Sequence, residues 1–323
     1  MRNRRRTPVI MTSLLVTSCC CLALACGKQQ PESTPPATRP AEPAPVAAEE
    51  VASESMDAEE TLSERLQAIL AGPHRAAKNR ARDEFRHPIE TLSFFGVTPQ
   101  STVVELWPGG GWYTEILAPL LRDEGKLIVT NFDPAGPDKY YGTRLAKSLG
   151  EKFSKEPQIY DQVAQVTVAQ DVKLDKKGKV ASITINDFEL APAGSVDVVL
   201  TFRNSHGWFE DGNEPKIYAL AFQALKPGGV FGVVQHRAAE GADPKKTVEN
   251  GYLPEAEVIA AAEAAGFKLV EKSEINANAR DTRDYTKGVW TLPPRLIEGD
   301  KDKARYLEIG ESDRMTLKFQ KPE

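Results

Sequence analysis

From Thr102 onward, short apolar runs alternate with longer segments of helical periodicity. The runs are Val103–Leu106, Leu127–Thr130, Val180–Ile185, Val196–Phe202, Val230–Val234, Phe267–Glu271 and Thr316–Phe319, each short and rich enough in apolar or β-branched residues to predict a strand. Between them Trp112–Leu121, Tyr140–Leu149, Pro215–Leu225 and Pro254–Ala265 predict helices. Apolar strands separated by helices predict an α/β fold with a mainly parallel sheet, covered on both faces. Upstream, Asn79–Phe95 reads as an amphipathic helix with Phe85, Ile89, Leu92 and Phe95 spaced for one buried face, and Pro88 should bend or split it. Residues 150–179 are long and polar and predict an insertion of short helix and hairpin. No internal repeat is visible.

The first 60 residues follow a different pattern. Arg2, Arg4, Arg5 and Arg6 form a basic start, and Pro8–Ala25 carries no charge but is diluted by small residues. A membrane span needs about 20 strongly apolar residues, so this predicts a secretion signal. Ala23-Leu24-Ala25-Cys26 resembles a bacterial lipobox, which implies a signal peptide over residues 1–26, cleavage before Cys26 and diacylglycerol on its sulfur. The protein is then expected to be an exported lipoprotein of the cell envelope, held to a membrane through Cys26. Val16-Thr17-Ser18-Cys19 is a second such box, but cutting there would leave an apolar tail. An uncleaved signal anchor is the competing account. Residues 27–60 are rich in Pro, Ala, Glu, Ser and Thr and contain no aromatic residue, which predicts an extended tether ahead of a folded domain over 61–323.

Composition narrows the chemistry. The chain has 323 residues, 41% hydrophobic and 27% charged, which suits one domain with appendages. All four cysteines (Cys19, Cys20, Cys21 and Cys26) precede that domain, so it has no disulfide, thiolate nucleophile or cysteine metal site. Losing residues 1–25 removes four arginines and no acid, taking the formal charge from −5 to −9. An acidic domain without a basic run is a poor partner for nucleic acid.

Residues 101–117 carry the most informative motif. Thr102–Leu106 reads as a buried strand ending near an acid, Glu105; Gly109, Gly110 and Gly111 make a turn, and a helix follows. Such an element cradles nucleotides, because glycine admits close approach and positive φ while a helix start offers free N–H groups. A dinucleotide turn needs a third small residue where Thr114 stands, which disfavours a nicotinamide-dependent reductase. Glu105-Leu106-Trp107-Pro108-Gly109-Gly110-Gly111 instead resembles the first motif of class I S-adenosylmethionine-dependent methyltransferases, with Trp107 replacing the first glycine. A turn shaped only for packing is the alternative.

Further stretches are similar to the same family. They are Gly125–Asn131 at the second strand, Ile185-Asn186-Asp187-Phe188 after the third, Ser195–Leu200 at the fourth, Leu225-Lys226-Pro227-Gly228-Gly229-Val230 entering the fifth, and Ala265–Lys268 and Met315–Lys321 at the closing pair. Arg86–Phe95, the Trp107–Glu115 run, Thr201–His206 and Gln235-His236-Arg237 look like a bacterial family of predicted methyltransferases, several of which carry export signals. The resemblance implies a Rossmann-like, seven-stranded, mostly parallel sheet with helices on both faces. It also implies S-adenosylmethionine held by Glu105, Pro108, Gly109, Gly110 and Gly111, with Asn131 or Asp133 at the ribose and Asp187 and Phe188 at the adenine.

In open α/β sheets ligands bind beyond the carboxyl ends of the strands. Two of the four histidines, His206 and His236, follow the fourth and fifth strands, together with Arg203, Asn204 and Arg237. Methyl transfer needs alignment of the acceptor and sometimes removal of a proton. His206 or His236 is the expected base, and Arg203 or Asn204 is expected to orient the acceptor. A structural network of Arg203 and His206 with loop carbonyls is the bland alternative. A metal site from His206, His236 and a carboxylate has no spacing signature. For Trp107, Trp112 and Tyr113, packing of the glycine turn is preferred over stacking on a cofactor.

Export creates a tension, since S-adenosylmethionine is not expected outside the cytoplasm. The fold is then either a catalytically inactive binding or scaffold module, which the Trp107 and Asn131 departures suit, or an enzyme loaded before export, with Arg5-Arg6 a weak twin-arginine feature.

Overall fold

The computed structural model describes residues 62–323. The signal segment, the lipobox with Cys26, the tether and the domain boundary at residue 61 lie outside the described residues.

The helices are α1 (62–71), α2 (Ala77–Arg80), α3 (Asp83–Arg86), α4 (Pro88–Phe94), α5 (Thr114–Leu121), α6 (Tyr141–Lys155), α7 (Pro157–Tyr160), α8 (Ser205–Glu210), α9 (Glu214–Ala224), α10 (Pro244–Thr247), α11 (Glu255–Ala264) and α12 (Lys303–Ile309). The strands are β1 (Thr102–Leu106), β2 (Lys126–Phe132), β3 (Ala164–Val168), β4 (Gln170–Leu174), β5 (Val180–Ile185), β6 (Val196–Phe202), β7 (Leu225–His236), β8 (Lys268–Ser273) and β9 (Arg314–Gln320). Seven form one sheet in the order β3-β2-β1-β6-β7-β9-β8, and β4 and β5 form a separate hairpin. Only β9 runs against its neighbours. This is the Rossmann-like, seven-stranded sheet of the class I methyltransferase fold.

Alternation along the central strands feeds two apolar layers. Val103, Val198 and Leu200 face α1, α4 and α5, where Leu66, Leu92, Ile116 and Leu117 are fully buried. Val104, Leu106 and Val199 face α9 and α11, against Ile217, Tyr218, Val258 and Ala262. Each fully buried aliphatic side chain contributes about 1.5–3 kcal/mol, so burial on both faces holds the strand ends in place.

Two expectations change, and the expected break at Pro88 appears. Val180–Ile185 is a strand, but it pairs with β4 in the hairpin; the third strand of the main sheet is β3, in the segment read as an insertion. β3 lies at the sheet edge, and its Ala-Gln-Val-Thr-Val sequence alternates rather than running apolar. Consequently Asp187 and Phe188 do not follow the third sheet strand. Asn79–Phe95 is three short helices, with His87 left-handed at φ +41° before Pro88. A residue ahead of proline is driven out of the right-handed helical region, so the chain breaks there.

Candidate functional site

The carboxyl ends of β1, β2, β6 and β7 meet at one edge, where two dissimilar regions lie side by side. The first is the glycine turn. Gly109 and Gly111 take φ +61° and +73°, which other residues adopt at a cost, and nothing stands within 4 Å of a side chain built on Gly109 or Gly110. The Glu115 N–H donates to the Gly111 carbonyl at 3.0 Å as α5 begins. Glu105 is 2% exposed and accepts the Thr114 hydroxyl at 2.6 Å. Burial pushes its carboxyl up to about 7, outweighing the opposing pull of Thr114 and the Lys152 ammonium.

Trp107 sits where the family motif has a glycine. Its φ is +43°, its N–H donates to Thr130 Oγ1 at 2.8 Å, and its side chain is buried. The indole packs edge-on to Trp208 at 5.2 Å and against Phe132 and Phe188, both at 6.1 Å. Its Nε1–H has no partner among the described residues. The space left beside the turn, bounded by Glu105, Trp107, Pro108 and Tyr113, is about 20 Å³, the scale of one water.

The other residues expected to hold a cofactor do not close around a common space. Asn131 is buried on β2. The Asp133 carboxylate accepts the Ala135 N–H at 2.8 Å, shaping a turn. Asp187 is fully exposed and pairs with Lys216 at 2.7 Å. Phe188 packs nearly perpendicular to the Trp107 indole, 6.1 Å between ring centres.

The second region is a cavity of about 990 Å³ beside the turn. That lies at the upper end of the ~300–1,000 Å³ typical of small-molecule sites. Phe132, Tyr140, Tyr141 and Gln170 line it together with Arg203, Asn204, His206 and His236, so all four expected catalytic residues line one space. Asn204 donates to the Leu106 carbonyl at 2.8 Å, tying the end of β6 to the end of β1. The histidine rings lie 5.8 Å apart. Nδ1 of His206 is 3.3 Å from Gln235 Nε2, and Nδ1 of His236 is 2.5 Å from Ser312 Oγ. Burial lowers both: His206 falls to about 4, and His236 falls well below its ordinary value with Arg203 and His206 adding to the effect. Both rings are therefore neutral at pH 7, able to accept a hydrogen bond but weak as bases. Arg237, by contrast, is held by Glu274 at 2.6 Å and Asp313 at 2.9 Å.

Several lining groups escaped the sequence reading. Arg82, Asp211, Glu311 and Ser312 all face the cavity. Burial, and next the Glu210 charge, raise Asp211 to about 6, closer to a working base than either histidine. Glu311, Ser312, Asp313 and Arg314 are four consecutive polar residues, each at most 3% exposed. Such a run at the start of a strand was the available signal. Among the described residues no group of three or more His, Cys, Asp or Glu is placed to hold a metal ion, and no helix is long and apolar enough to cross a membrane.

For S-adenosylmethionine the fit differs between the two regions. The void bounded by Glu105, Trp107, Pro108 and Tyr113 is too small for any part of a nucleoside, whereas the space beyond Gly109 and Gly110 is open. The cavity has the volume, and Phe132, Tyr141 and Gln170 among its lining offer aromatic surface and an amide suited to a purine.

No family model and no curated protein matches the chain. Similar solved structures include a SAM-dependent methyltransferase from Aquifex aeolicus, 14% identical over 81% of this chain and 97% of that one, with a TM-score of 0.45. A putative sarcosine dimethylglycine methyltransferase from Galdieria sulphuraria is 15% identical over 75% and 86%, with a TM-score of 0.46. Human N-acetylserotonin methyltransferase, in complex with SAM, is 13% identical over 86% and 61%, with a TM-score of 0.43.

Proposed function

We propose that the chain is an S-adenosylmethionine-dependent methyltransferase whose acceptor sits in the cavity, beside Arg203, His206 and His236. One observation carries this: in a methyltransferase-fold sheet, the strand-end residues Arg203, Asn204, His206 and His236 line a single cavity next to a glycine turn. The cofactor's nucleoside would be held by Phe132, Tyr141 and Gln170, and when bound the cofactor would supply an activated methyl group. Arg203 orients the acceptor. The neutral rings of His206 and His236 accept hydrogen bonds from it, and Asp211 offers a carboxylate tuned nearer to neutrality.

Trp107 favours a second reading, in which the fold is kept as a ligand-binding module that takes no cofactor. Titrating the full-length, detergent-solubilised chain with S-adenosylmethionine and S-adenosylhomocysteine separates the two. Saturable binding, with labelled methyl passed to a cell-envelope extract, supports the enzyme. No binding by the natural chain or by Trp107→Gly would remove the cofactor and leave the binding module.

We also propose that the mature protein is anchored through a lipid on Cys26 at the cell envelope. Mass spectrometry of the mature N-terminus should find diacylglycerol there, and Cys26→Ser should release the protein from membranes.

A further inference from the structure

The wall of the cavity nearest β6 carries more positive charge than the protein neutralises. Arg82 and Arg86 donate to Glu311 at 2.6 and 3.1 Å, and Arg314 lies 3.2 Å from the same carboxylate. Burial pushes Glu311 up, but the four guanidiniums of Arg86, Arg314, Arg82 and Arg203 outweigh it and hold it ionised at about 2. The neighbouring carboxylate, Asp313, is already engaged by Arg237 at 2.9 Å and Arg283 at 2.6 Å. One anion thus faces four cations.

Arg203 is the member left over. Its backbone is left-handed at φ +66°, an unusual and strained conformation for a residue with a side chain. Its peptide N–H donates to the Val234 carbonyl at 2.7 Å, which pins that conformation. Among the described residues its guanidinium has no ion pair or hydrogen bond, and its Nε is buried without a partner. Nη2 of Arg86, whose charge lies close by, is also buried and unpartnered. Arginine does not shed its proton to escape such a site, so the missing half of the pair has to come from a ligand. Arg203 lines both the cavity and the small void at the turn, so its guanidinium is within reach of whatever fills the cavity. The acids Glu210 and Asp211 also line the cavity, together with Arg144, but Asp211 faces like charge in Glu210 rather than this cluster.

We propose that the cavity takes a ligand bearing an oxyanion, a carboxylate or a phosphate, seated on Arg203, with Arg82 also on the lining and the Arg86 charge close by. The planar guanidinium fork suits two parallel hydrogen bonds to such a group. The aromatic rings of Trp208 and Trp290 along the cavity suit an apolar body attached to it. This rests on the reading of the cavity as the acceptor chamber and does not depend on the cofactor.

Calorimetric titration of the full-length chain in detergent with benzoate, phenyl phosphate and uncharged benzyl alcohol tests it. Both anions, or one of them, should bind, with benzyl alcohol at least 10-fold weaker. The stronger anion identifies the group as carboxylate or phosphate. Arg203→Gln should lose at least 10-fold in anion affinity and Arg203→Lys less, with thermal unfolding confirming that both fold. Arg82→Gln, on the cavity wall, gives the same comparison should Arg203→Gln not fold. Equal binding of benzyl alcohol, or anion affinity unchanged in the Gln variants, overturns the proposal. Anion binding without S-adenosylhomocysteine binding removes the cofactor alone; the reverse result removes the oxyanion site alone.

Discussion

The glycine turn and the arginine-lined cavity share one sheet edge but differ in almost every physical respect. The turn has the backbone of a nucleotide site, two left-handed glycines ahead of a helix, and the void between Glu105, Trp107, Pro108 and Tyr113 beside it holds only about 20 Å³. The cavity has no motif, draws its walls from segments more than 200 residues apart, and keeps about 990 Å³. A short motif reports backbone conformation, whereas the space for a ligand depends on side chains arriving from elsewhere in the chain. At this edge the second factor decides which region is open.

The sharpest way to break the comparison is to unbalance the cavity's charge. Glu311→Ala leaves Arg82, Arg86 and Arg314 without their shared carboxylate. Removing one partner of a buried pair costs about 3–5 kcal/mol, because the surviving charges stay buried. Urea unfolding should show a loss of that size, partly restored by an anion that binds the cluster. A loss below about 1 kcal/mol would mean the arginines reach water and the cluster is not a closed site.

Trp107→Gly attacks the other region. Removing a buried indole costs about 3–5 kcal/mol, and relief of the left-handed backbone returns about 1 kcal/mol, so a net loss of about 2–4 kcal/mol is expected. The same change opens the turn. If the indole is what closes it, S-adenosylhomocysteine affinity rises at least 10-fold as stability falls. Reduced stability without any gain in affinity would show that the turn is closed by more than this side chain.

The two regions should also respond to pH with opposite signs. His206 is held at about 4, below its ordinary 6.5. The unfolded chain therefore binds more protons between those values, and stability falls as pH drops through the window, by up to about 1 kcal/mol per unit. Glu105 is raised from 4.5 to about 7, so the folded chain holds the extra proton and stability falls as pH rises through that interval. Unfolding midpoints from pH 4 to 7.5 should lose the acid-side slope in His206→Gln and the alkaline-side slope in Glu105→Gln. Parallel profiles for both variants would contradict the assignment of opposite environments.

Much of the fold was legible because the central strands are apolar on both faces, and β6 agrees with its expected Val196–Phe202 span. β3 was missed because an edge strand needs only one buried face, so its alternating Ala-Gln-Val-Thr-Val lacks the apolar run of the interior strands. At the site, Arg203, Asn204, His206 and His236 were found together because strand ends share an edge whatever the loops do. Arg82 and Glu311 were not, since only the packing of α2 and α3 against the approach to β9 brings them together. The Trp107 departure was visible as a residue, but the burial of its ring depends on Phe132, Phe188 and Trp208 converging on it.

The smallest effect is expected at Asp187, the residue the family motif places at the adenine. Its carboxylate is fully exposed, and the Lys216 ammonium beside it holds it below the usual range. Exposed pairs of this kind contribute little, because water screens the charges and two mobile side chains must be held together. Asp187→Asn should therefore leave the unfolding midpoint unchanged within error and leave S-adenosylhomocysteine binding unchanged in both the natural and Trp107→Gly backgrounds. A 10-fold loss of nucleoside affinity in either background would place Asp187 at the adenine after all. The hairpin of β4 and β5, which ends two residues before it, would then have to fold over the turn once Trp107 withdraws.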